Sequence, residues 1–228
     1  MNIIKAILLF FVGLFSIPPK LNAQNFNPKD YTSFHKQIVF EDNFDNDKNK
    51  WIDKDDTTDD GKIDTAFVES KETKIANGYL KHDNRSRSKI YAAGIETNID
   101  FNKNFEMEIS ALIFFSFKPN HPSAITFWGR DSAYDCNYFY YDEDNYFIFT
   151  DCKIQSDCKS KSKHGNAFIK NDFNKITIRH YNDSYYIFIN EKFQKSFPFR
   201  PLVGHKIGLG AGIQCTMVYD YAKISYID

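Results

Sequence analysis

Seven short runs decide the fold: Ala124-Ile-Thr-Phe-Trp-Gly-Arg-Asp131, Tyr138-Phe-Tyr-Tyr141, Tyr146-Phe-Ile-Phe149, Asn174-Lys-Ile-Thr-Ile-Arg179, Tyr185-Tyr-Ile-Phe-Ile-Asn190, Lys206-Ile-Gly-Leu-Gly210 and Val218-Tyr-Asp-Tyr-Ala-Lys-Ile-Ser-Tyr226. Tyr, Phe, Ile and Val dominate them, and turn residues separate them. Aromatic and β-branched side chains suit a pleated, half-buried surface. Towards the N-terminus the pattern continues. Phe105-Glu-Met-Glu-Ile-Ser-Ala111 alternates, which puts Phe105, Met107 and Ile109 inward and Glu106, Glu108 and Ser110 outward. Ile90 to Ile99 reads as a strand. Ile75-Ala-Asn-Gly-Tyr-Leu80 reads as a hairpin, because Asn-Gly accepts the positive φ of a tight turn. Ile38 to Phe44 is the first strand, and Asp45 to Asp64 a charged loop carrying Trp51. No helical period, internal repeat or linker interrupts the series. The fold class is all-β, a sandwich or barrel.

The N-terminus has the form of an export signal. Lys5 gives the positive start, Ile7 to Phe15 the apolar stretch, Pro18-Pro19 the break, and Leu21-Asn-Ala23 a small residue before Gln24. The expected division is 1–23 signal peptide, 24–37 leader segment and 38–228 a single domain. The remaining chain of about 205 residues can bury a substantial core. The expected location is secreted or periplasmic, with no membrane span after signal cleavage. The chain carries 29 basic and 30 acidic residues, a formal net charge of −1. Without Lys5 and Lys20 the balance is more acidic, which excludes the basic stripe of a nucleic-acid binder.

The four cysteines, Cys136, Cys152, Cys158 and Cys215, form an even set behind an export signal, which favours disulfides over metal. Three connectivities exist. Cys136 and Cys152 flank a hairpin turning near Glu143-Asp144-Asn145 and would face each other in one register; a two-residue shift separates them. The alternative, which we prefer, is Cys152–Cys158 as a loop staple with Cys136–Cys215.

Asp42-Asn-Phe-Asp45 with Trp51, Ala76-Asn-Gly-Tyr79, Phe105-Glu-Met-Glu108, Phe127-Trp-Gly-Arg130, Phe188-Ile-Asn190, Gly204-His-Lys-Ile-Gly-Leu209 and Tyr219-Asp-Tyr-Ala-Lys-Ile224 follow in an order of their own. That order, over residues 38–227, resembles bacterial concanavalin A-like lectin/glucanase (laminin-G-like) domains. The composition, rich in Asn, Lys, Ile, Phe and Tyr, resembles secreted proteins of Bacteroidetes-type bacteria. The resemblance implies a two-sheet antiparallel β-sandwich, a jelly roll, of a kind that usually holds sugars and occasionally cuts them. The chain is expected to depart from the family by standing alone and by adding a cysteine-bearing insertion from Asp151 to His164.

Three chemistries can be read from the residues. The first is an aromatic sugar platform. Plain alternation puts Thr126, Trp128 and Arg130 on one face and Ile125, Phe127 and Gly129 on the other. If Trp128 and Arg130 share the concave face with Tyr138 and Tyr140, rings can stack on sugars while Arg and Tyr tips bond sugar oxygens. Because Arg130 is costly to bury unpaired, Trp128 is expected to face solvent. The second is glycoside hydrolysis, which needs two carboxylates at a set separation. Laminarinase-type jelly rolls carry Glu-x-Asp-x-x-Glu on one strand; here Glu106-Met-Glu108 is followed by Ala111, and a solvated strand face is the better reading. Asp142-Glu-Asp144 reads as turn chemistry. The third is calcium. Asp56, Asp60 and Asp64, around Gly61, partly follow an EF-hand-type loop, but Thr58 replaces a carboxylate and Phe67 the closing Glu. The six histidines are scattered and read as structural or surface. The reading is a secreted, non-catalytic binding module, with glycan the expected ligand. The alternative is a protein-interaction or structural module of the envelope, and the third a glycoside hydrolase. Calcium is the one candidate cofactor.

Overall fold

The computed structural model describes residues 27–32, 34–52, 71–86, 90–116, 123–130, 136–142, 144, 146–152 and 158–228. The expected signal segment and the loop bearing Asp56, Asp60 and Asp64, the expected calcium residues, lie outside them. Among the described residues there are fourteen strands and no helix. One sheet runs in the order β12 (Lys192–Pro198), β11 (Ser184–Ile189), β10 (Asn174–Tyr181), β5 (Phe105–Ser116), β14 (Cys215–Ile227), β3 (Tyr79–Asn84) and β2 (Lys71–Ala76), and β1 (Lys36–Asp42) pairs with the other half of β14. The second runs β4 (Tyr91–Glu96), β13 (Lys206–Ala211), β6 (Ala124–Arg130), β7 (Cys136–Tyr141), β8 (Tyr146–Cys152) and β9 (Cys158–His164). Neighbouring strands pair antiparallel. The chain is an all-β, two-sheet antiparallel sandwich.

Local chemistry sets the connections. Asn77 and Gly78 both take positive φ, 55° and 75°, and close the β2–β3 hairpin as expected. Alternation on β5 is also as expected, with Phe105, Met107 and Ile109 buried between the sheets. They meet Phe139, Phe147 and Phe149 of the facing sheet in one core, where Phe149 stacks on Phe197 at 4.6 Å. Each fully buried ring or aliphatic chain stabilises the fold by about 1.5–3 kcal/mol. The Asp151–His164 insertion supplies β9, an edge strand. Its Lys163 Nζ reaches across to the Gln194 carbonyl of β12, 2.8 Å away, which caps that side of the sandwich.

The outward face of β5 corrects one expectation. Glu106 and Glu108 are not solvated; they are 1% and 6% exposed. Residues 27–32 and Phe34, part of the segment 24–37 read as a leader, lie over them as a strap. Arg179 of β10, itself 0% exposed, joins strap to sheet. Its Nε donates to Glu106 Oε2 at 2.8 Å, its Nη1 to the carbonyls of Pro28 and Asp30 at 2.8 Å each, and its Nη2 to that of Tyr31 at 3.0 Å. The guanidinium also lies 4.5 Å from the Phe34 ring and 4.7 Å from that of Phe188. Lys36 pairs with both Glu106 and Glu108. Burial resists ionisation of Glu108, but the hydrogen bond and charge of Lys36 outweigh it and hold the carboxyl below its usual range.

Acid should therefore weaken the fold in two stages. His82 is fully buried, its Nδ1 paired with Thr73 Oγ1 at 2.9 Å, and burial pushes its pKa from 6.5 down to about 3. The unfolded chain takes up that proton first, so stability falls as pH drops from 6.5 towards 3, by up to about 1.4 kcal/mol per pH unit. Glu108, depressed in the fold, adds its loss below its reference value of 4.5. A melting temperature that falls between pH 7 and 5, and is flatter there in His82→Gln, is the expected result. A flat wild-type profile over that range would contradict it.

Candidate functional site

The outer face of the six-stranded sheet is set by β6 to β9. Phe139 and Tyr141 face the core, and Asn137 Nδ2 donates to Tyr185 Oη across the sandwich at 2.9 Å. Tyr138 and Tyr140, between them in sequence, therefore face outward. Their rings stack at 5.7 Å and 14°, and both are half-buried. Burial raises both phenol pKa values, so the hydroxyls stay protonated at neutral pH and act as donors or acceptors. Register carries the face sideways. Tyr138 sits opposite Thr150, which sits opposite Ser160; Tyr140 sits opposite Ile148. The Thr150 and Ser160 hydroxyls bond each other at 2.8 Å. On the other side, Phe127 pairs with Gly208, and Gly208 with Gly94. A Cβ at Gly208 would meet the Phe127 ring at 1.9 Å, so these glycines leave room for that ring to lie flat over β13 and β4.

Trp128 is not on this face, and the expectation that it faces solvent is corrected. It is 0% exposed in the core, edge-on to Tyr185 at 5.6 Å and tilted on Phe149 at 5.9 Å. The cause is a β-bulge. Trp128 pairs with Ile207 but Arg130 pairs with Lys206, so Gly129, at φ 70°, is the extra residue. The bulge reverses the alternation after Trp128. Arg130 comes out on the side of Phe127, its guanidinium 5.5 Å from that ring. Of the four expected site residues, the structure brings Arg130, Tyr138 and Tyr140 together and leaves out Trp128. Phe127, Thr150 and Ser160 join them. The Gly inside Phe127-Trp-Gly-Arg130 was the signal for the bulge.

The cysteines are half as expected. Cys152 and Cys158 form a disulfide with Cα atoms 4.1 Å apart. Cys136 and Cys215 are buried and not disulfide-bonded, which corrects the expected Cys136–Cys215 bridge. Cys136 starts β7, whereas Cys215 lies near Tyr141 at its far end, a phenol whose pKa is raised by burial first and then by the neighbouring Tyr219 and Cys215. Five residue steps separate the two ends, about 16 Å, far beyond the Cα span a disulfide tolerates.

One further feature was not anticipated. A cleft of about 540 Å³ opens on the outer face of the eight-stranded sheet, lined by Lys81, Asp83, Arg85, Phe114, Gln214 and Thr216 among others. Phe114 is 67% exposed there, with Lys81 Nζ 6.0 Å from its ring. Among the described residues no group of three His, Cys, Asp or Glu side chains could hold a metal ion.

No family model matches the chain, and no curated protein sequence matches it significantly. Solved structures do. An endo-β-1,3-glucanase from Pyrococcus furiosus aligns with TM-score 0.60 at 14% identity, over 85% of this chain and 95% of that one. The carbohydrate-binding module CBM66 from Bacillus subtilis aligns with TM-score 0.53 at 9% identity, over 68% and 92%. The exoplasmic/lumenal domain of VIP36, in a form bound to Ca2+ and Man3GlcNAc, aligns with TM-score 0.52 at 9% identity, over 70% and 82%. At these identities the likeness is one of fold, and the fold is the concanavalin-like, jelly-roll sandwich that the order of motifs implied.

Proposed function

We propose that this protein is an exported, non-catalytic glycan-binding module whose ligand rests on the outer face of the six-stranded sheet. The observation that carries the reading is the stacked Tyr138–Tyr140 pair with Arg130 turned onto the same face by the Gly129 bulge. Phenol faces offer the apolar side of a sugar a surface. The phenol hydroxyls, the Arg130 guanidinium and the Thr150–Ser160 hydroxyls offer hydrogen bonds to its oxygens. Without Trp128 the platform is smaller than the sequence suggested, and the two tyrosines are its anchors. The carbohydrate-binding module and lectin among the similar structures support the ligand class. Catalysis is a weaker reading because Glu106 and Glu108 are ion-paired beneath the strap. Calcium, held by Asp56, Asp60 and Asp64, remains a proposal alongside it.

A glycan array followed by titration calorimetry tests this. Tyr140→Ala should weaken binding of the best glycan by about 1–3 kcal/mol, the range for one ring stacked on a nucleic-acid base, with a smaller loss of melting temperature than a core ring would give, because the ring lies half-buried on the outer face. Binding unchanged in both Tyr138→Ala and Tyr140→Ala would remove the site. A second reading, a protein-interaction module, is favoured by Phe114. An exposed aromatic beside Lys81 and Arg85 resembles an interface anchor. Loss of partner capture in Phe114→Ser, with glycan binding absent from wild type, would put that reading first.

A further inference from the structure

The geometry points to a thiol–disulfide exchange site on this sheet, formed by Cys136, Cys152 and Cys158, which takes a low-molecular-weight disulfide at Cys158. The three cysteines lie in one row. Cys136 of β7 is the register partner of Cys152 of β8, and Cys152 is that of Cys158 of β9. Direct partners across antiparallel strands point to the same side. Here the side is outward, because Phe147 and Phe149 of β8 face the core. Strands are spaced by about 4.8 Å, so the three sulfurs follow one another across the sheet. Exchange needs that arrangement: the attacking sulfur approaches along the axis of the bond it breaks.

The step balances within the chain. Cys136, deprotonated, attacks Cys152 Sγ. The Cys136–Cys152 bond forms, the Cys152–Cys158 bond breaks, and Cys158 leaves as thiolate. No external oxidant is required. Cys136 is buried and Cys158 exposed, so the exchange carries a thiol from the interior of the face to solvent. There the Cys158 thiolate attacks a small disulfide, forms a mixed disulfide and releases one equivalent of small thiol. Arg200 fixes that strand end: its Nη2 donates to the Cys152 carbonyl at 2.9 Å and its Nε to Asp151 Oδ1 at 2.7 Å.

Register keeps both bonds within reach, and Cys152–Cys158 is the one present. Its Cα separation of 4.1 Å matches the narrow, non-hydrogen-bonded kind of antiparallel pair, about 4.5 Å. The peptide groups of Cys152 then point towards β7, and Cys136–Cys152 is the wider kind, about 5.5 Å, still within disulfide range. Cys136 is also a partner of the Tyr138 hydroxyl, so the exchange acts beside the tyrosine pair. It stands whether or not that pair binds sugar.

The experiment treats the folded protein with oxidised glutathione at pH 8, quenches with acid, and maps disulfides and adducts by peptide mass spectrometry. The proposal expects a glutathione adduct on Cys158 together with a Cys136–Cys152 bond. In Cys136→Ser the adduct should fall to background while Cys152–Cys158 persists. In Cys158→Ser, Cys136–Cys152 should form with oxidised glutathione as the oxidant, which leaves as two equivalents of glutathione. Wild-type protein that keeps only Cys152–Cys158 and gains no adduct would overturn it, as would an adduct on Cys136 or Cys215 without rearrangement. The wild-type measurement and Cys136→Ser decide the matter even where Cys158→Ser fails to fold.

Discussion

Replacing Arg179 by alanine should lower the unfolding free energy by about 3–5 kcal/mol, the cost of removing one partner from a buried ion pair. The size follows from what remains. Glu106, 1% exposed, loses the cation whose Nη2 stands 2.7 Å from its Oε2. The carbonyls of Pro28, Asp30 and Tyr31 lose their donor at the same stroke. Lys36 still reaches Glu106 and Glu108, so the site does not become an isolated charge. Urea denaturation reads the loss, and limited proteolysis reads its location. The strap at residues 27–32 should become cleavable before the sandwich unfolds. Glu106→Gln in the Arg179→Ala background should recover part of the loss, because the charge left behind is then gone. A change below about 1 kcal/mol with an intact strap would show that the pair is worth no more than an exposed one.

Much of the sandwich was readable from pattern because its signals are local. The Asn77-Gly78 turn needs two residues that accept positive φ, and both are there. The period-two burial of Phe105, Met107 and Ile109 depends only on β5 having one core face. The strap is a different matter. Its contact with Arg179 joins residues 151 positions apart, so nothing near Glu106 announces that a cover will arrive. An outward Glu on a strand reads as solvated unless the cover is known. The disulfides show the same division. Cys136 opposite Cys152 follows from hairpin register, which short-range pattern can propose. That Cys215 ends up beside the far end of β7 depends on how β14 crosses the other sheet, which spacing does not encode. The tyrosine pair was placed on the right strand by alternation alone, since no bulge interrupts β7. On β6 the same rule failed at Gly129, where one inserted residue exchanged the faces of everything after Trp128.

Trp128 supplies the second large effect, and it separates packing from binding. Trp128→Ala should cost about 3–5 kcal/mol, the range for deleting a large ring from a core. The site cannot collapse easily, because Tyr185 and Phe149 that touch the indole are themselves locked against Phe105, Phe197 and Phe199. Trp128→Phe should cost much less. The indole Nε1 meets only the Tyr185 hydroxyl, which already accepts from Asn137 Nδ2 at 2.9 Å, and its approach falls short of a regular hydrogen bond; a poorly paired buried donor is costly. Phenylalanine discards that donor while keeping part of the ring contact. The two variants therefore differ in stability although both lack the indole. Glycan binding should be the same in Trp128→Phe as in wild type, measured well below its melting temperature, because the side chain lies on the core side of the sheet. If Trp128→Phe keeps its stability and loses binding as fully as Tyr140→Ala does, the indole is part of the sugar platform after all, and the face assigned to it by the Gly129 bulge is wrong.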